Sequence, residues 1–247
     1  MKVSFKTAIS LAIWAATWEI AGRYFGNDFF PPLSAIIRAD VDLLSLPTFW
    51  AALGNTAHSF GIGIALAVIV GVPLGVLIGC SEVADKLSNT WINIFISAPL
   101  TAVVPALIPL LGIGEATVIA TVFLFSVWII VLDTQAGIRR VGASLVDMSK
   151  VFGATRRQRF FLILLPGALP EILTGIRLGV VRGIKGVIIG QIIVSLLGFG
   201  AMFQDFLQGF SMTRFWGLIA IVFLLSFVLV ELVAVIERRV EFYAPSR

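Results

Sequence analysis

Long apolar runs separated by short polar segments make up most of the chain. A helix needs about 20 apolar residues to cross roughly 30 Å of hydrocarbon, and several runs reach that length. Because the runs are continuous rather than alternating, they predict membrane-spanning helices and exclude a β-barrel. We predict an all-α polytopic membrane protein with one domain over residues 1–247. Its six spans lie at about 7–25, 56–80, 88–111, 115–136, 168–196 and 214–237.

The amino-acid composition limits the classes of function that the chain can have. Residues are 59% hydrophobic and 13% charged, whereas soluble domains carry about a quarter charged residues. The single cysteine allows no internal disulfide, and the single histidine, His58, allows no histidine metal cluster or Ser-His-Asp triad. No phosphate-binding loop of the G-x-x-x-x-G-K-[ST] type is present. These features disfavour a membrane enzyme and predict neither a bound cofactor nor an ATP site.

The distribution of cations predicts the orientation. The N-terminal run carries Trp14, Trp18 and Glu19 without a convincing cleavage site, so we interpret it as an uncleaved first span. With a cytoplasmic N-terminus, twelve cations fall inside: Lys2, Lys6, Lys86, Arg139, Arg140, Lys150, Arg156, Arg157, Arg159, Arg238, Arg239 and Arg247. Three fall outside: Arg23, Arg38 and Arg214. The positive-inside rule then places both termini in the cytoplasm and explains the net charge of +4 without nucleic acid.

Two outer segments contain amphipathic patterns. In the first, about 27–55, Pro31-Pro32 should break any helix, and the charges between Ile36, Ile37, Val41 and Leu44 predict a short interfacial helix. The loop at about 197–213 carries phenylalanines at helical spacing, namely Phe199, Phe203, Phe206 and Phe210. Aromatic residues at this level favour anchoring at the membrane interface.

Glycines form a stripe on the fifth predicted span. Gly175, Gly179, Gly183, Gly186 and Gly190 follow steps of four, four, three and four residues, which places them on one helix face. Gly71, Gly75 and Gly79 repeat the pattern on the second span. Small residues let helix backbones approach closely in membranes. The contact is either within one subunit or between subunits.

Polar and kinked positions inside the spans suggest a solute path. Broken polar helices are tolerated at membrane depth where they are buried in protein or line water. The candidates in the third span are Asn93, Ser97, Pro99, Thr101 and Pro105, and those in the fifth are Arg182, Lys185 and Gln191. The third span is alternatively a kinked packing helix. The two cations either contact an anion, pair with a carboxylate such as Glu19, or extend to the inner surface.

A basic polar segment, about 138–167, interrupts the apolar pattern between the fourth and fifth spans. Residues 144–151 and 155–164 both favour helices, with Gly153 at a sharp turn between them. Pro166 and Pro170 should separate the second helix from the span. Phe152, Phe160 and Phe161 lie among arginines, as at protein interfaces. The alternative is an amphipathic hairpin lying on anionic lipid.

The spacing Gly153-x9-Ile163-x-Leu165-Pro166 resembles the EAA loop of ABC-importer permeases, which docks into a cytosolic ATPase. That family has E-A-A-x-x-x-G-x9-I-x-L-P, whereas Asp147-Met148-Ser149 stands here in place of E-A-A. The resemblance implies that ATPase coupling involves Asp147, Met148, Ser149, Phe152, Gly153, Ala154, Arg156, Arg157, Ile163, Leu165 and Pro166.

Further segments resemble the nitrate/sulfonate/taurine-type permeases. They are Trp18-Glu19-Ile20-Ala21 with Phe30-Pro31-Pro32, Pro105 to Pro109 with Gly112 to Glu115, and Leu165 to Pro170 with Gly175-Ile176-Arg177. That subfamily often has tryptophan near Ile184 and glutamate at the position of Gln191, so the substrate here can differ.

The resemblance implies a type I importer permease in a bacterial inner membrane, working as a homodimer without bond chemistry of its own. Two copies of an ATPase would hold ATP and Mg, and an extracytoplasmic binding protein would deliver a small solute, favoured to be an anion. An ATP-independent secondary transporter or channel is the main rival, and a structural scaffold is a weaker one.

Overall fold

Helices form nearly all of the chain in the computed structural model, which describes residues 5–25, 29–194 and 197–241. In chain order they are α1 Phe5–Phe25, α2 Leu33–Ser45, α3 Pro47–Gly79, α4 Glu82–Ser97, α5 Leu100–Leu111, α6 Glu115–Arg140, α7 Ala143–Val151, α8 Arg156–Arg159, a π-helical segment Phe160–Leu164, α9 Leu165–Val194, α10 Gly198–Gln208 and α11 Met212–Glu241. No strand occurs in these ranges, so the predicted all-α class is confirmed.

The ends of the helices follow local chain chemistry. Helix α2 is the predicted interfacial helix, and it begins directly after Pro31-Pro32. Helix α3 carries Pro47 in its first turn, where a missing N–H does no harm. The Ser81 Oγ accepts a hydrogen bond from the Ala84 N–H and so caps α4. Gly112 separates α5 from α6 at a φ of +82°, a conformation that favours glycine.

Among the described residues, four helical segments are long and apolar enough to cross a membrane: Pro47–Gly79, Glu115–Arg140, Arg156–Val194 and Met212–Val235. The pair α4 and α5 makes a fifth if it counts as one span, although the two helices meet at 95°. Helix α1 covers the predicted first span, but it is not one of the segments that are long and apolar enough to cross a membrane. The predicted span at 56–80 begins nine residues earlier, at Pro47, because nothing in 47–55 ends the helix. The predicted span at 88–111 is broken at Ala98-Pro99, in agreement with the kinked or broken helix that its prolines predict.

Helix α6 forms the centre of the bundle, between the glycine faces of α3 and α9. A Cβ at Gly75 would lie 2.6 Å from the Thr134 Cβ, and one at Gly179 would lie 2.8 Å from the Ile130 Cδ1. Both faces therefore pack against α6 within one chain, which decides between the two alternatives. The close approach brings many atoms into contact where lipid supplies no hydrophobic driving force.

The phenylalanines of the 197–213 segment serve packing more than membrane anchoring. Phe199 and Phe203 are buried with Leu43, Phe49 and Leu218 in a core that joins α2, α3, α10 and α11. The interface-anchoring interpretation is wrong for these two side chains. Their helical spacing was informative, since it places both on the inner face of α10. Phe210, in contrast, is exposed.

An aromatic and polar cluster holds α1 against α2 and α11. The Trp18 ring contacts both Phe30 and Trp216, and the Trp18 Nε1 donates to the Pro31 carbonyl. The Glu19 carboxylate accepts from the Ser34 N–H at 2.9 Å and pairs with Arg23. Glu19 is thus not the partner of Arg182 or Lys185, and that alternative is wrong.

Candidate functional site

A helical hairpin of α7, α8 and the π-helical segment (residues 143–164) occupies the predicted basic segment. Its turn contains Gly153 at a φ of +76°, and the Ala154 N–H donates to the Ser149 carbonyl at 2.9 Å. The Thr155 Oγ1 accepts from the Gln158 N–H, while the Gln158 side chain accepts from the Thr155 N–H. This capping box starts the second helix directly after the turn. The structure therefore contains the helix–turn–helix that the sequence predicts.

The turn of the hairpin presents apolar side chains away from the bundle. Val151 and Phe152 are 86% and 81% exposed, and Met148 is half exposed. Ser149 is buried and donates to the Val146 carbonyl at 2.6 Å. Such an exposed apolar turn, flanked by basic residues, has the composition of a protein interface.

The remaining predicted coupling residues divide between surface and core. Those on the surface are Asp147, Gly153, Arg156, Arg157 and Pro166. Ala154, Ile163 and Leu165 are partly buried, and Leu165 packs against the buried cluster of Ile138, Ala168 and Ile172. Asp147 forms an ion pair with Lys150 at 2.7 Å.

The hairpin runs into α9 without interruption. We predicted that Pro166 and Pro170 would separate the two, but the helix continues from Arg156 to Val194. At 160–164 the helix has the wider π-helical turn, in which each N–H donates to the carbonyl five residues earlier, as the Leu165 N–H does to the Phe160 carbonyl. This π-helical turn changes the hydrogen-bond register directly before Pro166, which has no N–H to donate. The second helix of the hairpin and the spanning helix are thus one continuous helical segment.

Ion pairs connect the helix ends next to the hairpin. Arg140 Nη1 lies 2.5 Å from the Glu171 carboxylate, and Arg139 and Gln135 both contact Asp85. These contacts join α6 to α9 and to α4.

Lys185 lies on a face of α9 that turns away from its glycine stripe, and Arg182 lies at the border between that face and the stripe. Lys185 is exposed and Arg182 is partly buried, and within the described ranges neither lies within 4 Å of a carboxylate. Leu178 and Ile192, seven residues to either side of Lys185, are also exposed, so they extend the same face. We call the face of Leu178, Arg182, Lys185 and Ile192 the cationic face of α9. A charge at this depth in lipid costs several kcal/mol, so this face requires water or another protein chain.

The predicted polar positions of the broken span are all on the surface. Asn93, Ser97, Pro99, Thr101 and Pro105 are exposed. Helix α4 is held to α6 by Phe95, whose ring stacks on Trp128 at 4.2 Å. Helix α5 packs against α6 and α9.

Gln191 departs from the other predicted path residues because it is 1% exposed. Its Oε1 accepts from the Thr56 Oγ1 at 3.0 Å and from the Gly200 N–H at 3.3 Å. Thr56 Oγ1 also accepts from the Phe199 N–H. Gln191 thus joins α9 to α3 and α10 and does not line an open surface in this structure.

Two further sites were not predicted from sequence. His58 Nδ1 lies 2.6 Å from the Glu115 carboxylate, joining the first turn of α6 to α3. An apolar groove of about 320 Å³ lies among α3, α9, α10 and α11, with Thr56 and Ser226 as its polar members. Neither followed from spacing, since the first pair is 57 residues apart. The groove contains no charged side chain and does not suit a polar solute.

Comparison with known proteins identifies the family to which this architecture belongs. The profile of the family described as binding-protein-dependent transport system inner membrane component matches residues 71–242. The chain belongs to this family, and it is a permease subunit of an ABC importer rather than an enzyme. The family implies a separate ATPase and a solute-binding protein as partners.

Relatives of known name cover most of the chain. The taurine transport system permease protein TauC of Escherichia coli (strain K12) is 25% identical over 94% of this chain and 86% of its own length. The nitrate import permease protein NrtB of Synechocystis sp. is 26% identical over 81% and 76%. The bicarbonate transport system permease protein CmpB of the same organism is 33% identical over 65% and 57%.

Solved structures agree on the fold. The MetNI methionine ABC transporter, in an inward-facing conformation, matches with a TM-score of 0.67 and 19% identity over 82% of this chain and all of that chain. An amino acid ABC transporter solved with histidines matches with a TM-score of 0.65 and 16% identity over 78% and 94%. The predicted resemblance to ABC-importer permeases is thus confirmed.

Proposed function

We propose that two copies of this chain form the membrane path of an ATP-driven importer for a small anion, with Lys185 facing that path. The observation that carries the proposal is the exposed position of Lys185 on a spanning helix without a carboxylate partner in the described residues. Because lipid contact would cost several kcal/mol, a water-filled path supplies the solvation that this ammonium needs. An anion is the solute that such a path favours.

Exposed polar side chains on α4 and at the start of α5 support a second copy of the chain, because they lie beside apolar side chains on the same exposed side. Val83, Leu87, Trp91 and Ile94 lie on this side, next to the bend into α5. Those side chains can face lipid, but the exposed Asn93, Ser97 and Thr101 beside them need polar surroundings. A homodimer that encloses these polar positions and the cationic face of α9 would satisfy both groups.

Coupling is assigned to the hairpin of residues 143–164. Its exposed turn, Val151 to Gly153, would dock into the ATPase, whose two copies hold ATP and Mg. Since the hairpin continues into α9, closure of the ATPase pair would move α9 and change access to Lys185. The hairpin and both termini would then lie in the cytoplasm, in agreement with the excess of basic residues on that side.

Relatives supply candidate solutes. Their names mention taurine, nitrate and bicarbonate, but also formylaminopyrimidine. We propose an anion because of Lys185, and the binding protein would make the finer selection.

The test begins with the tagged chain purified in mild detergent from its native host. We expect an ATPase at about one copy per permease, with hydrolysis stimulated by the binding protein. Proteoliposomes should take up one solute from a panel of nitrate, bicarbonate and the sulfonate taurine. Lys185→Gln should abolish uptake, whereas Lys185→Arg should retain it. A chain that purifies alone and transports without ATP would instead indicate a secondary transporter or channel. Unimpaired anion uptake by Lys185→Gln would refute the role of the lysine.

A further inference from the structure

Asp133 is a carboxylate inside the bundle to which the proposed path assigns no role. It lies on α6, seven residues before the helix ends at Arg140. Its Oδ2 atom is buried and has no hydrogen-bond partner among the described residues. A Cβ at Gly175 would lie 2.8 Å from the Asp133 Cβ, so only glycine at 175 leaves room for this side chain.

The charges around Asp133 are arranged along the α6–α9 contact. Its carboxylate interacts unfavourably with Glu171 and favourably with Arg140 and Arg182. Arg140 is already engaged, since its Nη1 lies 2.5 Å from the Glu171 carboxylate. Arg182 forms no ion pair within 4 Å in the part of the chain that the structure describes. It is therefore the cation that remains available to Asp133.

The geometry of α9 brings Arg182 towards this carboxylate. Gly175 and Arg182 are seven residues apart, which places them on nearly the same face, about 10 Å apart along the axis. Side chains on a helix lean towards its N-terminus. Position 182 therefore lies two helical turns from Gly175 on the α9 face that contacts Asp133, with its Cα–Cβ bond tilted towards Gly175.

From these contacts we propose that Asp133 is the counter-ion of Arg182, a positioning residue that draws the guanidinium towards α6 and leaves Lys185 as the uncompensated cation of the path. An ionised carboxylate without a partner is costly inside a membrane protein, and a nearby guanidinium offsets that cost. The consequence rests on the proposed function: each copy would offer the solute one uncompensated positive charge, that of Lys185, rather than two.

A double-mutant cycle in detergent tests the ion pair without any transport. We expect Arg182→Gln to lower the melting temperature of the purified complex by about 5 °C, because it leaves the carboxylate unbalanced. In an Asp133→Asn background the same change should cost less than about 2 °C, since no charge remains to balance. Arg177→Gln is the matched control, because Arg177 pairs with Glu237 on α11, and Asp133→Asn should not reduce its cost.

A charge-selective probe adds a readout that a purely structural role would not change. Leu178 lies between Gly175 and Arg182 and is exposed. In a Cys80→Ser background, Leu178→Cys should react with an anionic sulfonate methanethiosulfonate and with its cationic trimethylammonium analogue. We expect Asp133→Asn to raise the anionic-to-cationic rate ratio by about threefold or more, and Arg182→Gln added to it to restore the original ratio.

The outcomes separate the two proposals. If Arg182→Gln costs the same in the parent and in the Asp133→Asn background, or if the rate ratio is unchanged, the counter-ion assignment is overturned while the importer function stays intact. Failure of the complex to take up any anion would refute the proposed function, yet the stability and labelling results could still establish the pair.

Discussion

Arg177 and Glu237 form an ion pair between α9 and α11 across 60 residues of sequence, with 2.9 Å between the Nη1 and Oε2 atoms. Glu237 is 6% exposed and also accepts a hydrogen bond from the Thr174 Oγ1 at 2.7 Å. The last helix is therefore fixed to the helix that carries the cationic face by a carboxylate with both oxygens engaged.

Glu237→Gln should destabilise the protein. The substitution leaves a partly buried guanidinium without its counter-charge, and we expect a cost of about 1–3 kcal/mol, reduced from the fully buried case because Arg177 remains partly solvated. Thermal unfolding in detergent measures this. Thr174→Val, which removes only the hydroxyl, should cost about 1 kcal/mol. A Glu237→Gln protein as stable as the parent would contradict the assigned role.

Gly75→Ala should destabilise the bundle, whereas Gly61→Ala on the same helix should not. A Cβ at Gly75 would meet the Thr134 Cβ at 2.6 Å and the Val131 carbonyl at 2.7 Å, while one at Gly61 meets nothing within 4 Å. Overpacking of this kind costs about 1–3 kcal/mol. Alanine at an open helical site instead gains up to about 1 kcal/mol. Opposite shifts in melting temperature are expected, and equal shifts would show that α3 and α6 do not pack closely in the membrane.

Gly153→Val should uncouple the ATPase from the permease without preventing membrane insertion. The residue has a φ of +76°, a conformation that costs a β-branched side chain about 1–2 kcal/mol. The control is Gly153→Asn, because asparagine tolerates this conformation and nothing lies within 4 Å of the added Cβ. ATP hydrolysis stimulated by the binding protein should be lost in the valine variant and retained in the asparagine variant. Normal stimulation in both would exclude docking through this turn.

Asp40→Asn should stabilise the protein at neutral pH. Asp40 lies on α2, its Oδ1 is buried without a hydrogen-bond partner in the described ranges, and burial raises its pKa above the ordinary 3.8. Between pH 3.8 and the raised pKa, the folded state then binds more protons than the unfolded state. The free energy of unfolding therefore falls as the pH rises through this window.

Melting curves from pH 7 down to about pH 4 measure the effect, because this range covers the window above the ordinary pKa of 3.8. We expect the parent to gain stability on acidification relative to Asp40→Asn, and the two melting temperatures to approach each other. Asp42→Asn, at an exposed position of the same helix, is the control and should not change the profile. Parallel curves for the parent and Asp40→Asn would contradict the prediction.

Much of the architecture followed from the sequence because its signals are local. Apolar length predicts a spanning helix, proline pairs end helices, and a glycine between two amphipathic segments predicts the turn at Gly153. The spacing of Gly153, Ile163, Leu165 and Pro166 also indicates the importer family from sequence alone. Each of these patterns depends on neighbours within one or two helical turns.

Other features depended on contacts between distant segments. Sequence did not reveal that both glycine stripes pack against α6, that Gln191 is held by Thr56, or that Arg177 pairs with Glu237, since these partners are up to 135 residues apart. The continuity of the hairpin with α9 was also missed, because a π-helical turn accommodates Pro166 where proline alone predicts a break. The sequence by itself determined which segments are helical and apolar. Only the tertiary structure decided which faces meet, because packing depends on side chains that come together when the bundle forms.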